Sequence, residues 1–194
     1  MVERWKKVTT EKAAEIIDVE EMDPASLELL KPEMQPEEYI EALYSAGKLS
    51  DAIMVLVRAL PAREAVWWGC VCAGEMELVT KNEGEVLALK AAEKWAYKPT
   101  DENRLGAFQQ AQKSDAPSAG TLACMAVVFS GGKLDMGDDQ SVDFDATKFT
   151  GIAGAVVLIS ATEKKGDEFN EALKQCLLKG KDVARGGSGK PKKA

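Results

Sequence analysis

A chain of 194 residues with 45% apolar and 29% charged side chains is long enough to bury a core without disulfide staples and too apolar to stay disordered. Its net charge of −7 is unevenly spread: residues 179–194 carry six basic side chains against one acid, which leaves 19 basic and 31 acidic residues in 1–178. So acidic a body repels phosphate backbones and argues against nucleic acid as a partner. The absence of any histidine excludes Ser-His-Asp and Cys-His catalysis, HExxH zinc sites and Glu-x-x-His di-iron sites.

Helix signals recur along the chain and alternating strand patterns are almost absent, so the expected fold is all-α, with about nine helices in an irregular bundle or a short stack of antiparallel α-hairpins. Thr9 or Thr10 caps a first helix over Thr10 to Val19, and Asp23-Pro24 opens a short second one through Leu30. Pro36 opens the next, Glu37 to Ala46, which Gly47 is placed to end in a left-handed cap. Ser50 caps Asp51 to Leu60, where Ile53, Leu56, Val57 and Leu60 draw one apolar stripe. Pro61 restarts the chain as a helix from Ala62 to about Leu78; its run Val66 to Ala73 is apolar nearly all round, which suits a central element. The stretch from Tyr44 to Pro61 resembles the second half of a tetratricopeptide unit but stands alone, so a tandem array is not expected.

Further helices are expected over Glu85 to Tyr97, Asp101 to Lys113 with Thr100 as cap, and Ala119 to Phe129 with Ser118 as cap. Residues 133–146 read as an acidic loop. A small-residue helix then runs from Thr147 or Lys148 to Thr162, and Asp167 caps a last one, Glu168 to Lys179. The domain organisation read from this pattern is one helical domain over 1–180, with 1–34 open to reading as a peripheral N-terminal appendage, followed by a flexible, disordered basic tail over 181–194. The N-terminus lacks the apolar core of a secretory signal, and the longest apolar stretch, Gly151 to Ala161, is far short of the roughly 20 residues that span a bilayer. A cytoplasmic protein without a membrane span is therefore expected.

Few constellations could carry chemistry. Cys70, Cys72, Cys124 and Cys176 sit in apolar helical contexts and read as buried free thiols; Cys70 and Cys72, two apart on one helix, point to different faces. Asp135, Asp138, Asp139, Asp143 and Asp145 form the best candidate for a hard cation. Aligned as an EF-hand from Asp135, however, the loop has Gln140 where glycine is needed and Ala146 where the bidentate acid belongs. A solvated acidic loop is the plainer reading, and no resident metal, cofactor or catalytic residue is assigned. Gly131-Gly132-Lys133 lacks the spacing of a phosphate loop, and Gly151 and Gly154 suggest a helix packed closely on a neighbour. Trp67 and Trp68 lie about 100° apart on their helix, so one can face the core and the other the surface, although core packing of both is the commoner fate. Trp95 and Tyr97 carry the same ambiguity. These four are the interface candidates, since large aromatics near a surface anchor protein contacts.

Three segments carry a resemblance: Leu60-Pro-Ala-Arg-Glu-Ala-Val-Trp-Trp-Gly-Cys; Ala91-Ala-Glu-Lys-Trp through Asn103-Arg-Leu-Gly-Ala-Phe; and Phe129-Ser-Gly-Gly with Gly151-Ile-Ala-Gly-Ala-Val-Val-Leu. Together they cover roughly 60–160 and resemble an uncharacterised bacterial helical domain family often encoded near type VI secretion genes. The resemblance implies a shared fold and setting and transfers no catalytic residue. It leads to the expectation of a non-catalytic protein-interaction module, an accessory, adaptor or chaperone-like protein of a secretion apparatus whose partner is another protein. The alternatives are an immunity protein masking a toxin and a carboxylate- or cation-dependent enzyme. Self-assembly through Trp68 or Trp95 is a further possibility.

Overall fold

The computed structural model describes residues 3–114, 116–137 and 139–191. Where a helix was expected over 10–19 the chain makes two 3-10 turns, Ala13–Glu15 and Val19–Glu21. Asp18 divides them, because its carboxylate accepts the Glu20 N–H at 3.1 Å and starts a new turn. This segment is not peripheral: Trp5 is buried, and its N–H donates to Glu37 at 2.9 Å. The Lys7 N–H donates to the Ala184 carbonyl near the other end of the chain at 2.9 Å.

Asp23 caps the short helix α1 (Pro24–Leu27) through the Ala25 N–H. An antiparallel hairpin follows, α2 (Pro36–Ser45) and α3 (Leu49–Ala59). Gly47 closes α2 as expected: at φ +74° it lets its own N–H reach the Tyr44 carbonyl and that of Lys48 reach Leu43, a left-handed cap that satisfies two orphan carbonyls.

Next comes α4 (Ala62–Ala73), which stops short of the expected Leu78. The chain bends at Gly74 and restarts as α5 (Glu77–Thr80) because Glu163, remote in sequence, accepts the N–H groups of Glu77 and Leu78 at 2.9 and 2.7 Å. Side-chain caps also start α6 (Glu83–Tyr97) at Asn82, α7 (Asp101–Ala111) at Thr100 and α8 (Ala119–Phe129) at Ser118. A 3-10 turn, Ala146–Lys148, leads into α9 (Phe149–Ile159), and α10 (Asp167–Ala184) is the last helix.

The expected all-α bundle is therefore present, with ten α-helices among the described residues. Residues 133–146 are one departure from expectation. They contain a small antiparallel hairpin, β1 (Lys133–Gly137) and β2 (Gln140–Asp143), with Lys133 opposite Asp143 and Leu134 opposite Val142. Strand β1 alternates, with buried Leu134 and half-buried Met136 between exposed Lys133, Asp135 and Gly137, but over only five residues, and β2 is exposed throughout, so the period-two signal is too short to mark a strand in the sequence.

Helix α4 is central, touching α6, α8, α9 and α10. Close approach is built from glycine. A Cβ on Gly154 of α9 would collide with Met54 of α3, and one on Gly180 of α10 would collide with Trp68 and Leu56; Gly151 faces open space. No helix among the described residues is long and apolar enough to cross a membrane.

The flexible tail expected from residue 181 is the second departure. Helix α10 continues to Ala184, and Lys181, Val183 and Ala184 are buried. Its terminus is a left-handed cap at Gly186 (φ +95°), where the N–H groups of Gly186 and Gly187 bond to the carbonyls of Val183 and Asp182. Residues 185–191 then fold back over α4, and 192–194 lie outside the described residues. Opposite charge supplies the physical reason: Lys179 pairs with Glu75, Lys181 with Glu41 at 2.6 Å, and Lys190 with Glu93 at 3.8 Å.

Candidate functional site

The two adjacent tryptophans of α4 have opposite surroundings. Trp68 is fully enclosed and donates its indole N–H to the Cys176 carbonyl at 2.8 Å, in the space that Gly180 leaves by having no side chain. Trp67 is half-buried, and its ring meets that of Tyr97 edge-on with centroids 5.1 Å apart. Tyr97 is 70% exposed, held at the end of α6 beside Arg63, whose Nε–H donates to the Ala96 carbonyl at 2.7 Å. A cavity of about 290 Å³ opens here, lined by Lys7, Arg63, Glu64, Trp67, Tyr97 and the fold-back segment at 186–188. The remaining aromatic candidate, Trp95, is 7% exposed. The structure thus brings Trp67 and Tyr97 together at one surface corner and keeps Trp68 and Trp95 inside.

The fold-back segment touches the same corner. Trp67 donates its indole N–H to the Ser188 carbonyl at 2.8 Å, and the Lys190 ammonium lies 4.7 Å from the Trp67 ring centre. Asp182 holds the segment in place by accepting the Gly189 N–H at 2.8 Å, with Gly189 at φ +69°. Sequence reasoning missed this arrangement because a Gly-Gly-Ser-Gly run carries no packing signal.

The aspartates are dispersed along the hairpin and its exit. Asp135 turns onto the Gly137 N–H at 2.9 Å, and Asp143 stands across the ladder from Lys133. Asp145 accepts both the N–H and the hydroxyl of Thr147, which hold its carboxyl below the usual carboxylate range. Asp135 and Asp139 border a shallow cavity of about 390 Å³ together with Asp101 and Lys133, whereas Asp138 lies outside the described residues. Among the described residues no three His, Cys, Asp or Glu side chains are grouped so as to hold a metal ion.

Arg104 on α7 is a second feature the sequence did not signal. It is buried with no carboxylate partner among the described residues and donates instead to main-chain oxygens: to Val128 at 2.9 Å from Nε, to Lys133 at 2.9 Å, to Gly132 at 2.8 Å and to Gly131. One guanidinium therefore satisfies orphan carbonyls at the C-terminus of α8 and fastens the start of β1. Burial lowers its pKa from the usual arginine value. This is a structural brace, with its donors turned towards backbone.

The Cys70 and Cys72 thiols diverge, as their spacing predicts. Cys70 lies towards Cys124 and burial pushes it up, while Cys124 donates to the Ala88 carbonyl at 3.1 Å and is pushed up to about 12 by burial. Cys72 and Cys176 of α10 are both buried and line one cavity of about 450 Å³.

A family model matches residues 39–184. The chain belongs to DUF6931, a family of unknown function. The DUF6931 span opens on α2 and closes on the last residue of α10, so Trp67, Tyr97, Arg104 and all four cysteines fall within it, while Trp5 and the fold-back segment at 185–191 fall outside. No curated protein and no solved structure matches the chain.

Proposed function

We propose that this DUF6931 chain is a non-catalytic, cytoplasmic protein-contact module, and that the Trp67–Tyr97 corner is its contact surface. The observation that carries the reading is a 70% exposed Tyr97 stacked edge-on against a half-buried Trp67 beside Arg63 and a small cavity. Aromatic and arginine side chains are the commonest anchors of protein interfaces, because they present large area on few rotatable bonds. The excess of acid over residues 1–178 supports a protein partner over a nucleic acid. The resemblance to domains encoded near type VI secretion genes supports an accessory, adaptor or chaperone-like role in such an apparatus. An immunity role is the second reading, supported by the same acidic surface, which suits the masking of a basic toxin.

Co-purification from native cells tests the proposal, using the tagged full chain, Tyr97→Ala, and Val142→Ala as a control that is 41% exposed on the hairpin. A protein retained by the wild type and Val142→Ala but lost from Tyr97→Ala is expected, since an interface anchor is worth about 2 kcal/mol or more, roughly 30-fold in affinity. Equal retention by all three chains would remove Tyr97 from the interface. An effector toxin as sole partner would replace the adaptor reading with the immunity one.

A further inference from the structure

We propose that the Trp67 corner is a recognition site for an extended basic segment of another protein, one that carries a Gly-Lys pair, and that residues 188–190 of this chain occupy it as an internal competitor. The inference rests on reading this corner as the contact surface, and it names the chemistry of what docks there. Three consecutive residues of the fold-back segment are each held by the body of the protein. The Ser188 carbonyl accepts the Trp67 indole N–H at 2.8 Å, and the Gly189 N–H donates to Asp182 at 2.8 Å. The Lys190 ammonium then lies 4.7 Å from the centre of the Trp67 ring and 3.8 Å from the Glu93 carboxylate. A carbonyl, an N–H and a side-chain charge are thus recognised in turn.

The receiving side is selective in two ways. Gly189 sits at φ +69°, and a Cβ there would stand 3.0 Å from Val183 and 3.3 Å from the Lys179 carbonyl, so the position before the lysine calls for glycine. An indole face beside a carboxylate favours a cation, because the ring quadrupole attracts the ammonium and Glu93 adds the opposite charge. At longer range, the 31 acidic against 19 basic residues in 1–178 draw a basic segment towards the body.

Receiver and occupant are separable. Trp67, Glu93 and Asp182 lie within the span 39–184 matched by the family model, whereas 188–190 lie outside it. The occupant also fills the corner only in part. Tyr97 stays 70% exposed beside the cavity of about 290 Å³, and the Lys190 side chain is half-exposed. A partner segment that seats the same Gly-Lys pair and continues over Tyr97 gains aromatic area that residues 188–190 leave bare, and so displaces them.

Titration of the full chain with the synthetic peptide acetyl-Gly-Gly-Ser-Gly-Lys-Pro-amide, read by NMR at the Trp67 indole N–H, tests the site. Gly189→Val releases the internal segment, because a branched side chain fits neither the positive φ nor the space beside Val183. The peptide is then expected to bind about tenfold more tightly than to the wild type, since an occupied site lowers apparent affinity by its free fraction. Lys190→Ala leaves the main-chain contacts and should give a smaller gain of about two- to fivefold, the worth of one exposed cation–π contact; it carries the test if Gly189→Val misfolds. Glutamine in place of the peptide's lysine, or alanine in place of the glycine before it, should weaken binding by at least a similar factor. Equal affinity of the wild type and both variants, equal binding of the lysine and glutamine peptides, or no response in any chain would overturn the proposal. So would a wild-type dimer that Lys190→Ala makes monomeric, which would give the site to a second copy of this chain. Co-purification with Tyr97→Ala reads the contact surface separately, so that either result can fail without the other.

Discussion

Trp67 and Trp68 are neighbours in sequence on one central helix, yet one is closed in by α3 and α10 and the other faces a cavity, an exposed tyrosine and the end of the chain. The roughly 100° step between consecutive helical residues is enough to separate a core residue from a surface one. The Trp68 side is fixed by shape, because Gly180 leaves room only for that indole. The Trp67 side is fixed by polar and aromatic contacts, namely Ser188, Lys190 and Tyr97, each of which can be lost without opening the core. The first side should govern stability and the second should govern what the surface can bind.

The largest expected effect breaks that comparison at its base. Trp68→Ala removes a fully buried indole and should cost about 3–5 kcal/mol, whereas Trp67→Ala should cost about 0.5–1.5 kcal/mol beyond its partial burial, the range for an aromatic pair. Urea denaturation of both variants gives the two values directly. Gly180→Ala comes next, because its Cβ meets Trp68 and Leu56, and overpacking of this kind costs about 1–3 kcal/mol. Gly106→Ala, in α7 with nothing within 4 Å of the added carbon, should do the opposite and stabilise by up to about 1 kcal/mol through helix propensity.

Smaller effects belong to the Trp67 side. Asp182→Ala deletes the carboxylate that holds the Gly189 N–H, at a cost of about 1 kcal/mol. Hydrogen exchange should then speed up at 186–190 while α4 and α10 stay protected, and Trp67 emission should shift to the red. The smallest effect concerns Lys190 and Glu93, 3.8 Å apart. A double-mutant cycle should give a coupling of about 0.2–1 kcal/mol that fades with added salt.

Much of the fold was legible because its punctuation is local. Asp23-Pro24, Pro36, Gly47, Thr100 and Ser118 each act within four residues of themselves, and each marks a helix end where expected. Other features have the opposite property. Glu163 starts α5 from 86 residues away, and Arg104 fastens the end of α8 and the start of β1 from another helix. The fold-back at 185–191 needs Trp67, more than 100 residues earlier in sequence, to receive it, the separation from Ser188 being 121. No window on the sequence contains both partners of any of these contacts. The same limit applies to the candidate site. Four aromatics could be named from the sequence, but which two reach the surface depends on where α10 lies and on Gly180, features that only the packed bundle supplies.

A photo-crosslinking amino acid placed at position 97 in native cells, with the same group at 142 as the exposed control, measures the proposed contact most directly. The proposal predicts a discrete adduct with one other protein from position 97 and none from 142, in a chain that keeps its wild-type unfolding midpoint. Equal adducts from both positions, or none from position 97, would contradict it.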